Sequence, residues 1–321
     1  MSDINKANLT DFFENLKVEF DNGLNAEIGN ALRSAAMDIP STSSQNKHAW
    51  LNQIPQVREW LGDRVVNNIQ SNSLTVVNRK FESTIEMTRE EIEDDEHGVY
   101  ANLAGIMGNN ARDFPDELLV EALLNGQTDT WADGTAVFSD SRTYGSNTID
   151  NLTTTVFDED GDGFNAAYAL MMNYLGHNNK PLRSMPATLV YGADKRVEVF
   201  KVLQPQAQML TDGSAIVSLP GGNANQGLVR AVQSPLLVDG YVDSKGNTHS
   251  NAGTHWFLIG AMGGVSGLAY QERKAPEFQT SRLEDDSDFV FANDKFQFGT
   301  RQRGEAFVTL PNLVVGNFAT T

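Results

Sequence analysis

Cysteine is absent from the 321 residues. Disulfide frameworks, thiolate nucleophiles and cysteine-ligated zinc or iron–sulfur centres are therefore excluded. Histidine is scarce. The five are His48, His97, His177, His249 and His255, and none stands four residues from another, the spacing of a helical metal pair. Basic residues number 24 against 42 acidic ones, a formal charge of −18. A sequence-independent grip on a phosphate backbone needs a basic surface, so the balance argues against it while leaving room for a local basic patch. No apolar run approaches the roughly 18 residues of a membrane-spanning helix. The longest candidate, Trp256–Val265, is too short and too rich in glycine. The opening MSDINKANLTDFFENL has neither a basic nor an apolar signal region. The expectation is a soluble chain that stays where it is made, with no membrane partner.

Phosphate-binding glycine loops and the G-x-S-x-G nucleophile turn are also missing; Gly264-Val265-Ser266-Gly267 lacks the frame. Carboxylates are so numerous that choosing two as acid and base would be arbitrary. The sharpest local motif is Asp158–Asn165, DEDGDGFN. Asp158, Asp160 and Asp162 occupy positions 1, 3 and 5 of a calcium loop, with Gly163 at position 6. Position 12 is Ala169 instead of the closing glutamate. The simpler reading is an acidic start to the helix that follows, where carboxylates face unpaired N–H groups. The three aspartates are a weak metal candidate, and no cofactor is expected.

Apolar residues make up 40% of the chain, enough for a sizeable core. Leu9, Phe12, Phe13, Leu16 and Phe20 recur at three- and four-residue steps and predict an amphipathic helix stopping at Asn22-Gly23. Ile28, Leu32 and Ala35 suggest a second short helix, and Pro40–Lys47 a polar linker. Leu74 and Val76, then Phe81, Ser83, Ile85 and Met87, form two alternating runs. With Asn78-Arg79-Lys80 between them they read as a hairpin. Residues 91–125 carry a long helical pattern with a bend or short break near Phe114, since Pro115 suits a helix restart. Phe164–Leu175 predicts a helix, Met185–Gly192 a strand, Lys195–Leu203 a helix, and Phe289–Gly316 two or three strands. The class is α+β. Trp50, Arg58, Trp60 and Arg64 lie beside the hairpin, and tryptophan and arginine are enriched at protein–protein interfaces. The hairpin has too few apolar residues for a core of its own and must pack on something.

Several blocks carry a family resemblance. They are Ser41–Val66 with its W-L-x-Q-x-P-x-x-R-E-W-x-G-D-R pattern, Leu74–Tyr100, Phe114–Gly126, Asp133–Asp140, Phe164–Gly192, Thr254–Leu258, Tyr270–Phe278 and the strands from Phe289. Together they resemble the major head subunit of Mu-like bacteriophages and prophages, the gpT family. Asp140–Thr155 and Pro220–Gly253 match less clearly, and Ser139-Asp140-Ser141-Arg142 replaces the usual D-x-D-H.

The resemblance implies a phage capsid fold of the Hong Kong 97 type. Its expected parts are an N-terminal arm (1–46), an extended loop (47–90) with its tip near Asn78-Arg79-Lys80, a peripheral domain with a spine helix (91–126), an axial domain (127–280) and closing strands returning to the peripheral sheet (281–321). It implies a non-enzymatic major capsid protein, made in the host cytoplasm, whose hexamers and pentamers form the icosahedral shell of the virion head. The arm stripe, Trp50, Arg58, Trp60, Arg64, Arg79 and Lys80 would then meet neighbouring subunits. Implied partners are copies of the chain, scaffold, portal and decoration proteins, and double-stranded DNA held without sequence-specific contacts. A decoration or tail component, or a calcium-binding hydrolase using Asp158, Asp160 and Asp162, are the competing readings.

Overall fold

The computed structural model describes residues 6–26, 32–51, 71–94, 98–176, 179–204, 208–212, 215–219, 225–281 and 288–319. The chain opens with α1 (Lys6–Leu24), a single 3-10 turn, β1 (Met37–Pro40), β2 (Gln45–Leu51), β3 (Ser71–Val77) and β4 (Arg79–Thr88). Next come α2 (Arg89–Glu93), α3 (Val99–Leu124), β5 (Arg142–Tyr144), β6 (Asn147–Ile149), β7 (Leu152–Thr153), α4 (Asp162–Met172), β8 (Met185–Tyr191) and α5 (Arg196–Leu203). The strands β9 (Gln208–Asp212), β10 (Ala215–Leu219), β11 (Arg230–Gln233), β12 (Tyr241–Val242), β13 (Thr248–His249), β14 (Trp256–Met262), β15 (Val265–Ser266) and β16 (Leu268–Thr280) follow. The last elements are α6 (Asp288–Asn293), β17 (Lys295–Val308) and β18 (Val314–Asn317). No helix among the described residues is long and apolar enough to cross a membrane.

Two mixed sheets organise these elements. One has the order β1-β16-β17-β4; the other runs β11-β8-β14-β18-β7, with β15 on β14. The apolar half of α3 decides where they sit. Its N-terminal part packs with α1, Phe296 and Phe298. Its C-terminal part buries Leu118, Leu119 and Leu123 against both sheets, among Tyr270, Val308, Phe257 and Val314. A separate cluster holds α4 and α5 on the six-stranded sheet around Phe164, Val199, Trp256 and Leu258.

Several expectations need correction. No break interrupts α3 near Phe114; Pro115 lies inside a continuous helix. An interior proline costs about 3 kcal/mol. Each large side chain that α3 buries beyond it returns about 1.5–3 kcal/mol, so burial outweighs the lost bond. The closing segment is divided: β17 joins the four-stranded sheet, but β18 lies between β14 and β7 in the other. Leu268–Thr280, expected in the axial span, is instead the four-stranded sheet's long second strand.

The arm differs too. Leu9, Phe13, Leu16 and Phe20 were expected against a neighbour, yet each is buried within this chain, and Phe12 partly so. Phe13 meets Phe296 at 6.3 Å and Phe20 meets Phe278 at 5.5 Å between ring centroids. Glycine permits this packing. The helix ends at Leu24, one residue past the expected stop at Asn22-Gly23. A Cβ on Gly23 would stand 2.1 Å from the Gly105 carbonyl oxygen, and one on Gly108 would stand 2.1 Å from that of Phe20. The two helix backbones therefore touch where side chains would hold them apart.

Gly108→Ala should wedge α1 away from α3 and cost about 1–3 kcal/mol. Calorimetry should show the loss, and amide exchange should accelerate across residues 9–20 while β14 stays protected. Gly105→Ala is the control. Its Cβ would lie 3.6 Å from the Glu19 carbonyl oxygen, an ordinary contact, so stability should hold or rise slightly.

Candidate functional site

A ribbon stands apart from both main sheets, with its base on β16 and β17. β2 and β3 pair antiparallel from Gln45↔Val77 to Leu51↔Ser71 and form a two-stranded sheet. The expected hairpin joined β3 to β4 through Asn78-Arg79-Lys80, and that pairing does not occur. β4 instead pairs with β17 over ten positions, from Lys295↔Thr88 to Gly304↔Arg79. Only Asn78 separates β3 from β4, and one residue cannot close an antiparallel turn. The alternating runs are real, but the chain passes from one sheet to another at Asn78. The outer end of the ribbon thus falls between Leu51 and Ser71.

Little apolar surface holds the ribbon's base: Val76 lies buried with Ala269 and Phe307, while Leu74 is partly covered. The rest of the anchorage is polar. Asn78, itself 5% exposed, donates to Ser41 Oγ at 2.8 Å and to the Ser43 carbonyl at 2.9 Å. Its oxygen accepts from Gln271 Nε2 at 2.8 Å. Gln271 Oε1, fully buried, accepts in turn from His48 Nε2 at 2.7 Å. The His48 ring stacks on Phe307 at 4.9 Å. Each of these buried groups would cost about 1–3 kcal/mol if left unpaired, so the network fixes the ribbon's angle of departure.

Arg79 lies one residue further on. Its guanidinium donates to both Glu305 oxygens, at 2.5 and 2.9 Å, to Glu121 Oε1 at 2.9 Å and to Ser244 Oγ at 2.7 Å. Ser244 Oγ donates to the other Glu121 oxygen. Lys245 approaches Glu121 at 3.6 Å and Asp129 at 3.1 Å. Burial pulls the Arg79 pKa down, but the two carboxylates outweigh it and hold the value above the ordinary one. The cluster joins the ribbon's exit strand to α3, to β17 and to the 243–245 turn.

That turn has its own anchor. The Asp243 side chain is fully buried. It accepts from Asn125 Nδ2 at 2.7 Å, from Asn247 Nδ2 at 3.0 Å and N at 2.7 Å, and from Lys245 N at 3.0 Å. Burial opposes its ionisation, yet the donors of Asn125, Asn247 and His249 prevail and hold it well below the usual carboxylate range.

The other predicted site residues are scattered. Trp50 lies in β2; Arg58, Trp60 and Arg64 fall outside the described residues, as do His97 and His177. Lys80 is exposed on β4. Asp158, Asp160 and Asp162 are not brought together as ligands. Helix α4 begins at Asp162 after Gly161 in a left-handed conformation, and Glu159 pairs with Lys201. Among the described residues no three histidine, aspartate or glutamate side chains gather as metal ligands. Glu121, Ser244, Glu305, Gln271 and Asn78 carried no local sequence signal, because their partners lie far along the chain.

Comparison with known proteins decides what this scaffold is. The model of the Mu-like prophage major head subunit gpT matches residues 9–160 and 231–320. The chain belongs to this family. The "Mu-like prophage FluMu major head subunit" of Haemophilus influenzae is 32% identical over 187 residues, covering 56% of this chain and 58% of that protein. The "Major capsid protein" of Escherichia phage Mu is 34% identical over 103 residues, 32% of this chain and 34% of its own. The matched segment thus spans at most a little over half of these curated relatives. A subunit of the procapsid of bacteriophage JBD30 superposes with a TM-score of 0.54 at 22% identity, covering 99% of this chain and 77% of that one. The fold is the Hong Kong 97 phage-capsid type, with α3 as its spine helix. The gpT match leaves out residues 161–230, which carry α4, β8 and α5, so the resemblance noted for Phe164–Gly192 lies outside it.

Two outcomes follow for this gpT-family chain. Arg79→Met should leave Glu121, 2% exposed, without its closest cation and cost about 2–4 kcal/mol in chemical denaturation. Asp243 is depressed in the folded state, so its stabilisation is complete above the unfolded carboxylate value near about 4 and disappears as pH falls further. Asp243→Asn should lose about 1–3 kcal/mol at neutral pH. Its melting temperature should also fall less steeply than the parent's below about pH 4.

Proposed function

We propose that this chain is a structural shell subunit: copies join as hexamers and pentamers and close into the icosahedral head of a virion around double-stranded DNA. The observation that carries this is the ribbon β2–β3. It leaves the body through a buried polar junction, yet it pairs with no third strand among the described residues. A two-stranded ribbon is marginal in water by itself. With no third strand of its own, it is stabilised by lying on an adjacent copy.

The domain assignment follows the sheets. The peripheral domain comprises the four-stranded sheet with α1 and α3, and the axial domain the six-stranded sheet with α4 and α5. The extended loop is the ribbon with residues 52–70, where Arg58, Trp60 and Arg64 meet the neighbour alongside Trp50. The arm, seated on its own α3, braces the spine instead of reaching outward. Scaffold, portal and decoration proteins are the partners such a head would take. The charge of −18 suits a wall that contains DNA without holding it. The chain acts by tiling, not by catalysis.

Purified protein should form rings, tubes or shells visible by electron microscopy. Deleting residues 52–70 and closing the ribbon with a short turn should leave the circular dichroism and melting of the body intact while abolishing particles. Particles from the shortened chain, or a parent that stays monomeric under all conditions, would overturn the proposal.

A further inference from the structure

A row of cations crosses the four-stranded sheet. Lys80, Arg303 and Lys274 stand directly opposite one another on β4, β17 and β16. Residues opposite one another share a face, and three cations in one row repel. Lys274 is answered by Glu277. Lys80, exposed on the edge strand, and Arg303 have no acidic side chain in ion-pair contact among the described residues. The Arg303 Nε is buried and makes no hydrogen bond. A chain of charge −18 here concentrates unanswered positive charge.

An acidic turn lies at the far end of β4, beyond the Lys295–Glu86 pair. Thr88 closes a capping box with Glu91, and α2 then exposes Glu90 and Glu93, with Asp94 just after it. Lys80 and Thr88 are eight residue steps apart, about 26 Å at the usual rise. That is about three screening lengths in physiological salt. The turn therefore cannot neutralise the row within one chain.

We propose that the acidic turn of one copy, Glu90, Glu93 and Asp94, docks on the Lys80–Arg303 row of the next copy. The proposal rests on the shell-subunit reading and adds the identity of one contact. Because donor and acceptor patches differ, the contact is head-to-tail, and head-to-tail contacts generate rings when the rotation closes. DNA phosphate is the poorer occupant. In the next row on the same face Arg301 stands between Glu82 and Glu277. A duplex would lay phosphates over those carboxylates as well, whereas three carboxylates on one short turn can be placed on the cations alone.

Charge reversal in the full chain tests this. Lys80→Glu alone, and Glu90→Lys with Glu93→Lys alone, should each lower particle yield about tenfold or more, since like charges facing across an interface cost several kcal/mol. All three changes in one chain should restore particles. Circular dichroism and melting of the soluble proteins confirm that each variant is folded; Lys80→Gln, with a smaller loss, serves if Lys80→Glu is not. Unchanged yield from the single reversals, or a folded triple variant that fails to recover, overturns the docking contact. Normal particles from Lys80→Glu that retain less DNA would assign the row to phosphate and overturn it equally. If the parent itself forms no particles, the shell reading fails, and salt-dependent self-association by sedimentation, lost in either reversal and regained in the triple variant, still decides the contact.

Discussion

Glu121 sits on the buried face of the spine helix with 2% of its surface exposed, and a carboxylate in that position demands a cation. The cation comes from Arg79, the first residue of the strand that follows the ribbon. Much of the geometry at the junction follows from this requirement. Arg79 cannot reach Glu121 and Glu305 together unless β4 starts at the edge of β17. That placement makes Asn78 the pivot between the four-stranded sheet and the ribbon, and the Asn78–Gln271–His48 network then fixes the angle at which β3 departs.

The body behind the ribbon is rigid for a different reason. The spine helix presents two apolar faces in succession, one to α1 and the phenylalanines of β17, the other to residues of both sheets. Glycine at the α1–α3 crossing brings backbones together and leaves no slack between them. Polar junctions and apolar clusters therefore divide the work. Dispersion and burial make the body, and directional hydrogen bonds orient the part that leaves it. The proposed tiling would need both, because a ribbon of undefined angle could not meet a neighbouring copy repeatedly in the same register.

The elements themselves were legible in the residues. The stripe from Leu9 to Phe20, the long helix before Leu124, α4, β8 and α5 all follow from periodicity. Errors arose where one pattern admits two pairings. Alternation on both sides of Asn78 reads as a hairpin, but alternation reports only that a strand has two faces, not which strand lies beside it. Pro115 reads as a break because local cost is visible in sequence and the burial that offsets it is not. The arm stripe reads as exposed apolar surface awaiting a neighbour until Gly23 and Gly108 are seen to bring α1 directly against α3. Histidine, asparagine and glutamine at 48, 78 and 271 look unremarkable singly; their network exists only once β2, the β3–β4 junction and β16 converge.

By itself the sequence determined the class of chain: cysteine-free, acidic, with enough apolar residues for one large body, a family-specific pattern around Trp50–Arg64, and helices fixed by three- and four-residue spacing. These are local or compositional quantities, set by backbone geometry and transfer free energy. The tertiary structure alone decided the partners of each strand, the inward fold of the arm, the cation for Glu121 and the alignment of Lys80 with Arg303. Each of those joins residues up to more than 200 positions apart, and only folding brings them within the few ångströms over which hydrogen bonds and ion pairs act.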